Sequence, residues 1–188
     1  MNTTNNKSEV FQWLINNRQS VRNYKSDVIE KEKINRIIEA GRLSPSACNA
    51  QPWKFIVVDN PEIKNKIADA TSNSVIGINH FTKQAPVHIV IVMESANFNS
   101  NFGSFMKNKK LPLIDIGLTA SQICLQATAE GLGTCILGWF NETSVKKLLN
   151  IPRRKRPILI ITLGYPADNE LREKKRKSFD EVFSNNKY

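Results

Sequence analysis

The spacing of apolar residues along the chain predicts several helices. Four apolar positions within Ser8–Asn17 recur at helical spacing, which predicts a first helix there. A second helix is predicted to start at Asp27, which forms a capping-box pattern with Glu30, and to stop at Gly41. The segment 115–131 is apolar on most faces, which predicts a central helix that is buried all round or packed against a partner chain.

Three β-branched runs predict strands between these helices. They are FIVVD at 55–59, PVHIVIVM at 86–93 and PILIITL at 157–163. Shorter helices are predicted after Pro61 and over 142–150. Because strands and helices interleave without a strict βαβ order, we predict an α+β fold in which a mixed central sheet is flanked by helices. A length of 188 residues with 40% hydrophobic content predicts a single domain over residues 1–188.

No pattern indicates export, a membrane span or a disulfide framework. The first seven residues lack the apolar core of a signal peptide, and no apolar run approaches the roughly 18 residues that would span a bilayer. Cys48, Cys124 and Cys135 are widely spaced and form no CxxC pair. We therefore expect a cytoplasmic protein with reduced thiols and no membrane partner.

Positive charge is concentrated in the last third of the chain. Residues 146–177 contain eleven Lys and Arg against three acidic residues, whereas the remainder is nearly balanced within a formal net charge of +10. This distribution indicates a local anion site or a solvated basic patch. Nucleic-acid binding through this segment stays an alternative, because a basic cluster alone carries little specificity.

Several common catalytic motifs are missing from the sequence. His80 and His88 lie in or beside a predicted strand without a Ser or Cys nucleophile motif nearby, so we predict that they are core or surface residues. The sequence has no GxSxG and no HExxH. The run GLGTCILG at 131–138 lacks both the last glycine of GxGxxG and the lysine of a P-loop, so neither mode of phosphate binding is predicted there.

Two short basic segments could serve one anion. An extended backbone at 18–22 (RQSVR) would place Arg18, Ser20 and Arg22 on one side, where two guanidinium groups and a hydroxyl could hold a phosphate. The run 174–177 (KKRK) could supply a second cationic arm. Either segment alone is also typical of a solvated surface.

Four motifs in register resemble the nitroreductase family of flavin mononucleotide (FMN) enzymes. They are RQSVRNY from Arg18, SPSACNAQPWKF from Ser44, AEGLGTCILGWF from Ala129 and LGYPADNELREKKRKSFDEV from Leu163. Together they span residues 18–182. The resemblance implies an α+β fold and an obligate homodimer that binds two FMN molecules at its interface, with residues from both subunits.

The resemblance also implies which residues hold the FMN phosphate. Arg18, Ser20 and Arg22 would bind it, with Gln19 as a neighbour. Lys174 and Arg176 match the spacing of a second phosphate arm.

Two further segments would lie beside the flavin ring according to the same resemblance. They are the loop residues Pro45, Ser46, Ala47 and Asn49 and the later segment Cys135, Ile136, Leu137 and Gly138. Small loop residues would let the backbone approach a planar ring, and a backbone N–H of the later segment could donate to flavin N5. Trp53 is expected to anchor the loop in the core. Many family members carry Pro or Glu in the later segment, so its sequence CILG leaves the subfamily and the substrate open.

The activity that the resemblance implies is hydride transfer from NAD(P)H through the flavin to a small acceptor such as a nitroaromatic or a quinone. No catalytic residue or metal ligand is assigned, and ping-pong kinetics are expected because no separate nicotinamide fold is apparent. Residues 97–110 are predicted to form a mobile lid that selects the acceptor. One alternative is other flavin chemistry, namely flavin reduction, enone reduction, dehalogenation or flavin destruction. The other is a non-enzymatic basic protein that binds nucleic acid or anionic partners through residues 146–177.

Overall fold

The computed structural model describes residues 6–72, 78–94, 110–168 and 170–188. The helices are α1 (Lys7–Asn17), α2 (Lys31–Arg42), α3 (Pro61–Thr71), α4 (Leu111–Ala129), α5 (Glu142–Leu148) and α6 (Phe179–Val182). The strands are β1 (Trp53–Val58), β2 (Val87–Met93), β3 (Gly133–Leu137) and β4 (Arg156–Gly164). The predicted lid lies outside the described residues, apart from Lys110.

The four strands form one sheet in the order β1-β2-β4-β3, and each neighbouring pair is antiparallel. A parallel element comes from an isolated bridge between Ser20 and Thr134, on the side of β3 that faces away from β4. Helices cover both faces of this sheet, which confirms the predicted α+β class. β3 is an edge strand that the apolar pattern did not predict.

Apolar side chains alternate between the two faces of the sheet. In β2, Ile89 and Ile91 pack with residues of α2 and α4, whereas Val90 and Val92 pack with residues of α3 and α5. Burying each of these side chains contributes roughly 1.5–3 kcal/mol. The period of two along this strand therefore produces a core on each face of the sheet.

Two helix predictions differ from the structure. The predicted capping box of Asp27 and Glu30 is wrong, because α2 begins at Lys31 and Glu30 makes no side-chain cap. The Glu30 carboxylate instead accepts a hydrogen bond of 2.6 Å from the Tyr165 hydroxyl and pairs with Lys33 at 3.3 Å. A complete capping box occurs at α6, where Ser178 and Glu181 satisfy each other, and this short helix was not predicted.

The central helix α4 has one buried and one exposed apolar face. Its buried residues include Ile116 and Ile123, whereas Ile114 and Leu118 are exposed. The prediction of burial all round is therefore wrong for this chain by itself, and the predicted alternative of a partner chain stays open. None of the helices in the described ranges, α4 included, is both long enough and apolar enough to cross a membrane.

Candidate functional site

Two remote parts of the chain meet in a positively charged cleft at the edge of the sheet. We call this the basic cleft, and it encloses about 360 Å³. It is lined by Arg18, Gln19, Ser20, Arg22, Arg172, Glu173, Lys174, Lys175 and Arg176. The predicted meeting of the two basic segments is thereby confirmed. Arg172 and Lys175 also line the cleft and were not among the predicted site residues.

The end of α1 directs the first segment along the sheet edge. Arg18 leaves the helix with extended backbone angles while its N–H still donates to the Leu14 carbonyl at 2.9 Å. The Val21 N–H then donates to the Thr134 carbonyl of β3 at 2.8 Å. A Cβ at Gly133 would lie 2.6 Å from Val21 Cγ2, so only glycine allows the two backbones to approach this closely. The extended angles of Arg18 and the bridge between Ser20 and Thr134 agree with the predicted extended conformation of this segment.

The C-terminal arm, residues 170–177, is attached to this segment by hydrogen bonds. The Gln19 side chain donates to the Glu170 carbonyl at 2.8 Å and accepts from the Arg172 N–H at 3.1 Å. The Arg172 guanidinium donates to the Ser20 carbonyl. Gln19, predicted to be a neighbour of the phosphate, therefore holds the second wall of the cleft in place.

Lys174 closes the same side of the cleft. Its ammonium donates to the carbonyls of Ile15 and Asn16 at the end of α1, where the helix dipole favours a cation. Burial lowers the pKa of Lys174, and the nearby charges of Arg18 and Arg176 lower it further. Lys174 thus contributes positive charge next to two other cations.

The basic cleft carries an excess of positive charge in the described part of the chain. Six cations and one carboxylate line it. Among the salt bridges of the described ranges, none involves any of these six cations. Crowded cations repel one another, and an anion bound between them would relieve this repulsion. Guanidinium groups and the Ser20 hydroxyl are donors that suit a phosphate.

The segment 135–138 lies next to the basic cleft. Cys135 and Leu137 are buried on the α3 side of the sheet, whereas Ile136 on the opposite side is 43% exposed. The bridge between Ser20 and Thr134 places Cys135 one residue along β3 from the cleft residue Ser20. Burial raises the pKa of the Cys135 thiol, and Arg22 and Ser20 act in the opposite direction. The predicted ring segment and the predicted phosphate segment are therefore neighbours.

The backbone of β3 offers a donor on its open edge. Thr134 directs its carbonyl away from β4 towards Val21, and backbone polar groups two residues apart in a strand point the same way. The N–H of Ile136 therefore points away from β4, at the open edge of the sheet. It lies two residues beyond Thr134, where Ser20 pairs with the strand. Gly138 follows the strand and is exposed.

The loop 44–52 is held on α4 instead. The Ser44 hydroxyl donates to the Gln122 side chain at 2.7 Å, and the Ala47 N–H donates to the Asp115 carboxylate at 3.1 Å. The Ser46 hydroxyl accepts from the Gln51 N–H at 2.9 Å. These bonds hold Ser44 and Ala47 on α4 and Ser46 within the loop. The predicted loop residues are not among the residues that line the basic cleft.

The loop has an unusual backbone. Cys48, Asn49 and Gln51 have φ values of 53°, 52° and 46°, in the left-handed region that non-glycine residues rarely adopt. Such conformations persist only where surrounding contacts enforce them, and they cluster at functional sites. Pro45 and Asn49 are exposed at its surface, while Trp53 is buried in the core directly after it. The expected anchoring role of Trp53 is confirmed.

An exposed apolar surface extends over α1 and α4. No side chain of α1 is buried, and its exposed residues include Phe11 and Trp13. On α4, Ile114 and Leu118 are exposed in the same helix that holds the loop 44–52. Large exposed apolar side chains concentrated on two helices are typical of an interaction surface.

A larger cavity begins directly after the segment 135–138. It encloses about 1040 Å³ between α3 and α5, and Trp139 and Phe140 form part of its lining. Ser72 and Lys147 also line it. The aromatic and polar lining suits a small organic molecule.

Comparisons with known proteins agree with these features. The model of the nitroreductase family matches residues 15–165. A nitroreductase family protein of Clostridium novyi is 32% identical, with a TM-score of 0.74 over 87% of this chain and 88% of that one. The FMN-dependent nitroreductase of Clostridium difficile is 28% identical, with a TM-score of 0.71 over 93% of this chain and 98% of that one.

A curated relative gives the same result from sequence. The NADPH-dependent oxidoreductase of Staphylococcus saprophyticus is 28% identical over 182 residues, which cover 93% of this chain and 72% of that protein. The family model covers most of the chain, including the basic segment 18–22, the loop 44–52 and the segment 135–138. The chain belongs to the nitroreductase family.

Proposed function

We propose that this protein is an NAD(P)H-dependent oxidoreductase that binds FMN with its phosphate in the basic cleft and its ring along the segment 135–138. The observation that carries the proposal is the cluster of six cations that both ends of the chain build without a balancing set of carboxylates. The FMN-dependent relative from Clostridium difficile and the NADPH-dependent relative from Staphylococcus saprophyticus support it.

Each part of the site has a distinct task. Arg18 and Arg22 would bind the phosphate through paired N–H donors, and the Ser20 hydroxyl would add a third contact. Gln19 and Lys174 keep the C-terminal arm against α1, so that Arg176 reaches the same cleft. The outward N–H of Ile136 would meet the polar edge of the ring. When bound, FMN would supply the hydride chemistry, and the chain would bind, orient and shield it.

We propose further that the active form is a homodimer. The loop 44–52 is held on α4 and does not line the basic cleft of its own chain, although the family resemblance assigns Pro45, Ser46, Ala47 and Asn49 to the flavin site. A second copy packed on the exposed apolar residues of α1 and α4 would bring its loop to the ring, because the loop sits on α4. The same packing would remove this apolar surface from water.

The acceptor is proposed to be a small nitroaromatic, quinone or similar molecule. The cavity lined by Trp139 and Phe140 provides room for it beside the segment 135–138. Oxidised nicotinamide would leave before the acceptor enters, so initial-rate plots should show parallel lines. Intersecting lines would contradict this ping-pong order. A screen of nitro compounds, quinones, enones and free flavins would separate the alternative flavin chemistries.

The absorbance spectrum of the purified protein tests the proposal. We expect a yellow protein, or one that turns yellow when FMN is added, that is bleached by NAD(P)H under anaerobic conditions. A colourless protein that takes up no FMN would contradict the proposal. Salt-sensitive binding of duplex DNA by such a colourless protein would favour the non-enzymatic alternative.

A further inference from the structure

Tyr24 connects the two segments that are proposed to hold the two ends of FMN. It is 6% exposed and lies two residues after the basic segment 18–22. Its hydroxyl donates to the Val21 carbonyl at 2.8 Å and lies 2.7 Å from the Thr162 hydroxyl oxygen. Thr162 in β4 is the register partner of Cys135 in β3.

The hydrogens of these two hydroxyls fix the direction of the contacts. The Val21 carbonyl can only accept, so Tyr24 uses its single hydrogen there. Thr162 must then donate to Tyr24, because its other candidate acceptor, the Cys135 carbonyl, is farther away at 3.4 Å. Burial raises the pKa of Tyr24, so the phenol keeps its proton at neutral pH. The result is a directed chain from Thr162 through Tyr24 to Val21.

The Tyr24 ring has little freedom to move. A Cβ at Gly164 would lie 2.8 Å from the ring carbon Cδ1 of Tyr24, so the absent side chain of Gly164 creates the space for this ring. The Tyr24 N–H donates to the Gln84 side chain at 3.2 Å, and Tyr24 pairs with Pro166 in an antiparallel bridge. Backbone and ring contacts therefore fix the phenol between β4 and the segment 18–22.

We infer that Tyr24 and Thr162 form a positioning pair that sets the spacing between the phosphate segment 18–22 and the ring segment 135–138. The inference rests on the proposed FMN site. A phosphate and a ring joined by one ribityl chain can be bound together only if their two subsites are correctly spaced. Neither hydroxyl is proposed to touch the flavin, so the pair would act through the backbone of Val21 and through β4.

FMN and riboflavin should respond differently to the loss of this pair. FMN must satisfy both subsites at once, whereas riboflavin has no phosphate and needs only the ring subsite. Loss of the positioning pair should therefore weaken the binding of FMN and leave the binding of riboflavin nearly unchanged. A general destabilisation of the fold would weaken the binding of both ligands alike.

The experiment compares the dissociation constants of FMN and riboflavin by flavin fluorescence in the wild type, Tyr24→Phe, Thr162→Val and the double variant. Each single substitution removes one hydroxyl and keeps the shape of the side chain. We expect the Kd of FMN to rise about tenfold in each single variant and that of riboflavin to change less than about twofold. The double variant should be little worse than either single variant, because both break the same chain.

Thr119→Val is the matched control. Thr119 is also fully buried and donates to a backbone carbonyl, that of Gly41, at 2.8 Å. It should lose a similar amount of thermal stability and keep the wild-type ratio of FMN to riboflavin affinity. Thr162→Ser, which retains the hydroxyl, should restore most of the FMN affinity lost in Thr162→Val.

Two results would overturn the inference. One is an equal loss of affinity for both flavins in Tyr24→Phe and Thr162→Val, and the other is an unchanged affinity for FMN. If Tyr24→Phe fails to fold, Thr162→Val and Thr162→Ser decide between these results. A wild-type protein that binds neither flavin would refute the proposed function and this inference together, whereas wild-type binding with an unaltered FMN preference in the variants refutes the inference alone.

Discussion

The basic cleft and the loop 44–52 are predicted to bind the same cofactor, yet the fold treats them differently. The cleft is assembled within one chain, since Gln19 and Lys174 hold the C-terminal arm against the segment 18–22. The loop is held on α4 through Ser44 and Ala47. The proposed function accounts for this difference, because one chain would supply the phosphate subsite and the second chain of the proposed dimer would complete the ring subsite.

The largest effect is expected in the cleft. The double variant Arg18→Gln with Arg22→Gln would remove the two proposed charge-assisted contacts to the phosphate, and should weaken FMN binding by at least about 100-fold, or roughly 3 kcal/mol. Riboflavin affinity should change little. Arg153→Gln with Arg154→Gln removes the same charge outside the cleft and should have a small effect. Equal losses in the two double variants would show that only net charge matters.

The buried side chain of His88 limits the pH range in which flavin affinities can be compared. Burial, and then the charge of Lys64, lower the pKa of His88 from 6.5 to about 4, against a weaker opposite effect of the Thr82 backbone. The unfolded chain therefore binds a proton that the folded chain excludes. Stability from neutral His88 should be complete above about pH 6.5 and should fall by about 3 kcal/mol as the pH drops to 4.

Chemical denaturation at pH 4, 5.5 and 7.5 measures this loss. His88→Leu should flatten the pH profile, and His80→Gln, at an exposed histidine, is the matched control. A profile that stays as steep in His88→Leu would assign the acid sensitivity to other groups. Flavin affinities in the cleft and at the loop should accordingly be compared above pH 6.5.

A charge introduced on the exposed apolar face of α4 should distinguish the contribution of the loop from that of the cleft. Leu118→Asp places a carboxylate where the second copy is proposed to pack, and should weaken dimerisation by about 2 kcal/mol, close to 30-fold. The affinities for FMN and for riboflavin should then fall by equal factors, because the variant would lose the partner's loop and keep its own cleft. Analytical ultracentrifugation with flavin titration measures both effects.

Val28→Asp is the matched control for this variant, because Val28 is 88% exposed and lies on neither α1 nor α4. It should leave the dimer and both flavin affinities unchanged. A dimer that survives Leu118→Asp would place the interface elsewhere.

The smallest effect is expected within the loop. Ser46→Ala leaves the Gln51 N–H without its acceptor and should cost about 1 kcal/mol, which corresponds to a roughly fivefold rise in Kd for FMN and riboflavin alike. Thr128→Ala removes a hydroxyl that bonds within α4 and serves as the control. A loss confined to FMN would indicate that the loop contacts the phosphate rather than the ring.

Much of the fold could be predicted from local patterns. β2 and β4 appear within about one residue of their predicted limits, because long β-branched runs in the middle of a sheet have few alternatives. β3 was missed because it is five residues long, starts at a glycine and gains its pairing from β4 and Ser20, which are distant in sequence. The predicted start of α2 is wrong because the Glu30 carboxylate accepts a hydrogen bond from Tyr165, 135 residues away, instead of capping the helix.

The candidate site could be predicted only in part for the same reason. The residue types of 18–22 and 174–176 indicate an anion site, and the structure brings them together. Arg172 was missed because its contacts to Gln19 and Ser20 depend on how the C-terminal arm folds back, although it lies in the same basic run. The position of the loop depends on the bonds of Ser44 to Gln122 and of Ala47 to Asp115, which join residues far apart in sequence and which local patterns do not encode.

The most direct test of the central claim is the ratio of the riboflavin and FMN dissociation constants of the wild-type protein above pH 6.5, measured at low and high salt. If the six cations bind the phosphate, FMN should bind at least about 100-fold more tightly than riboflavin, and this preference should shrink as salt screens the cleft. Equal affinities for the two flavins at every salt concentration would contradict the account.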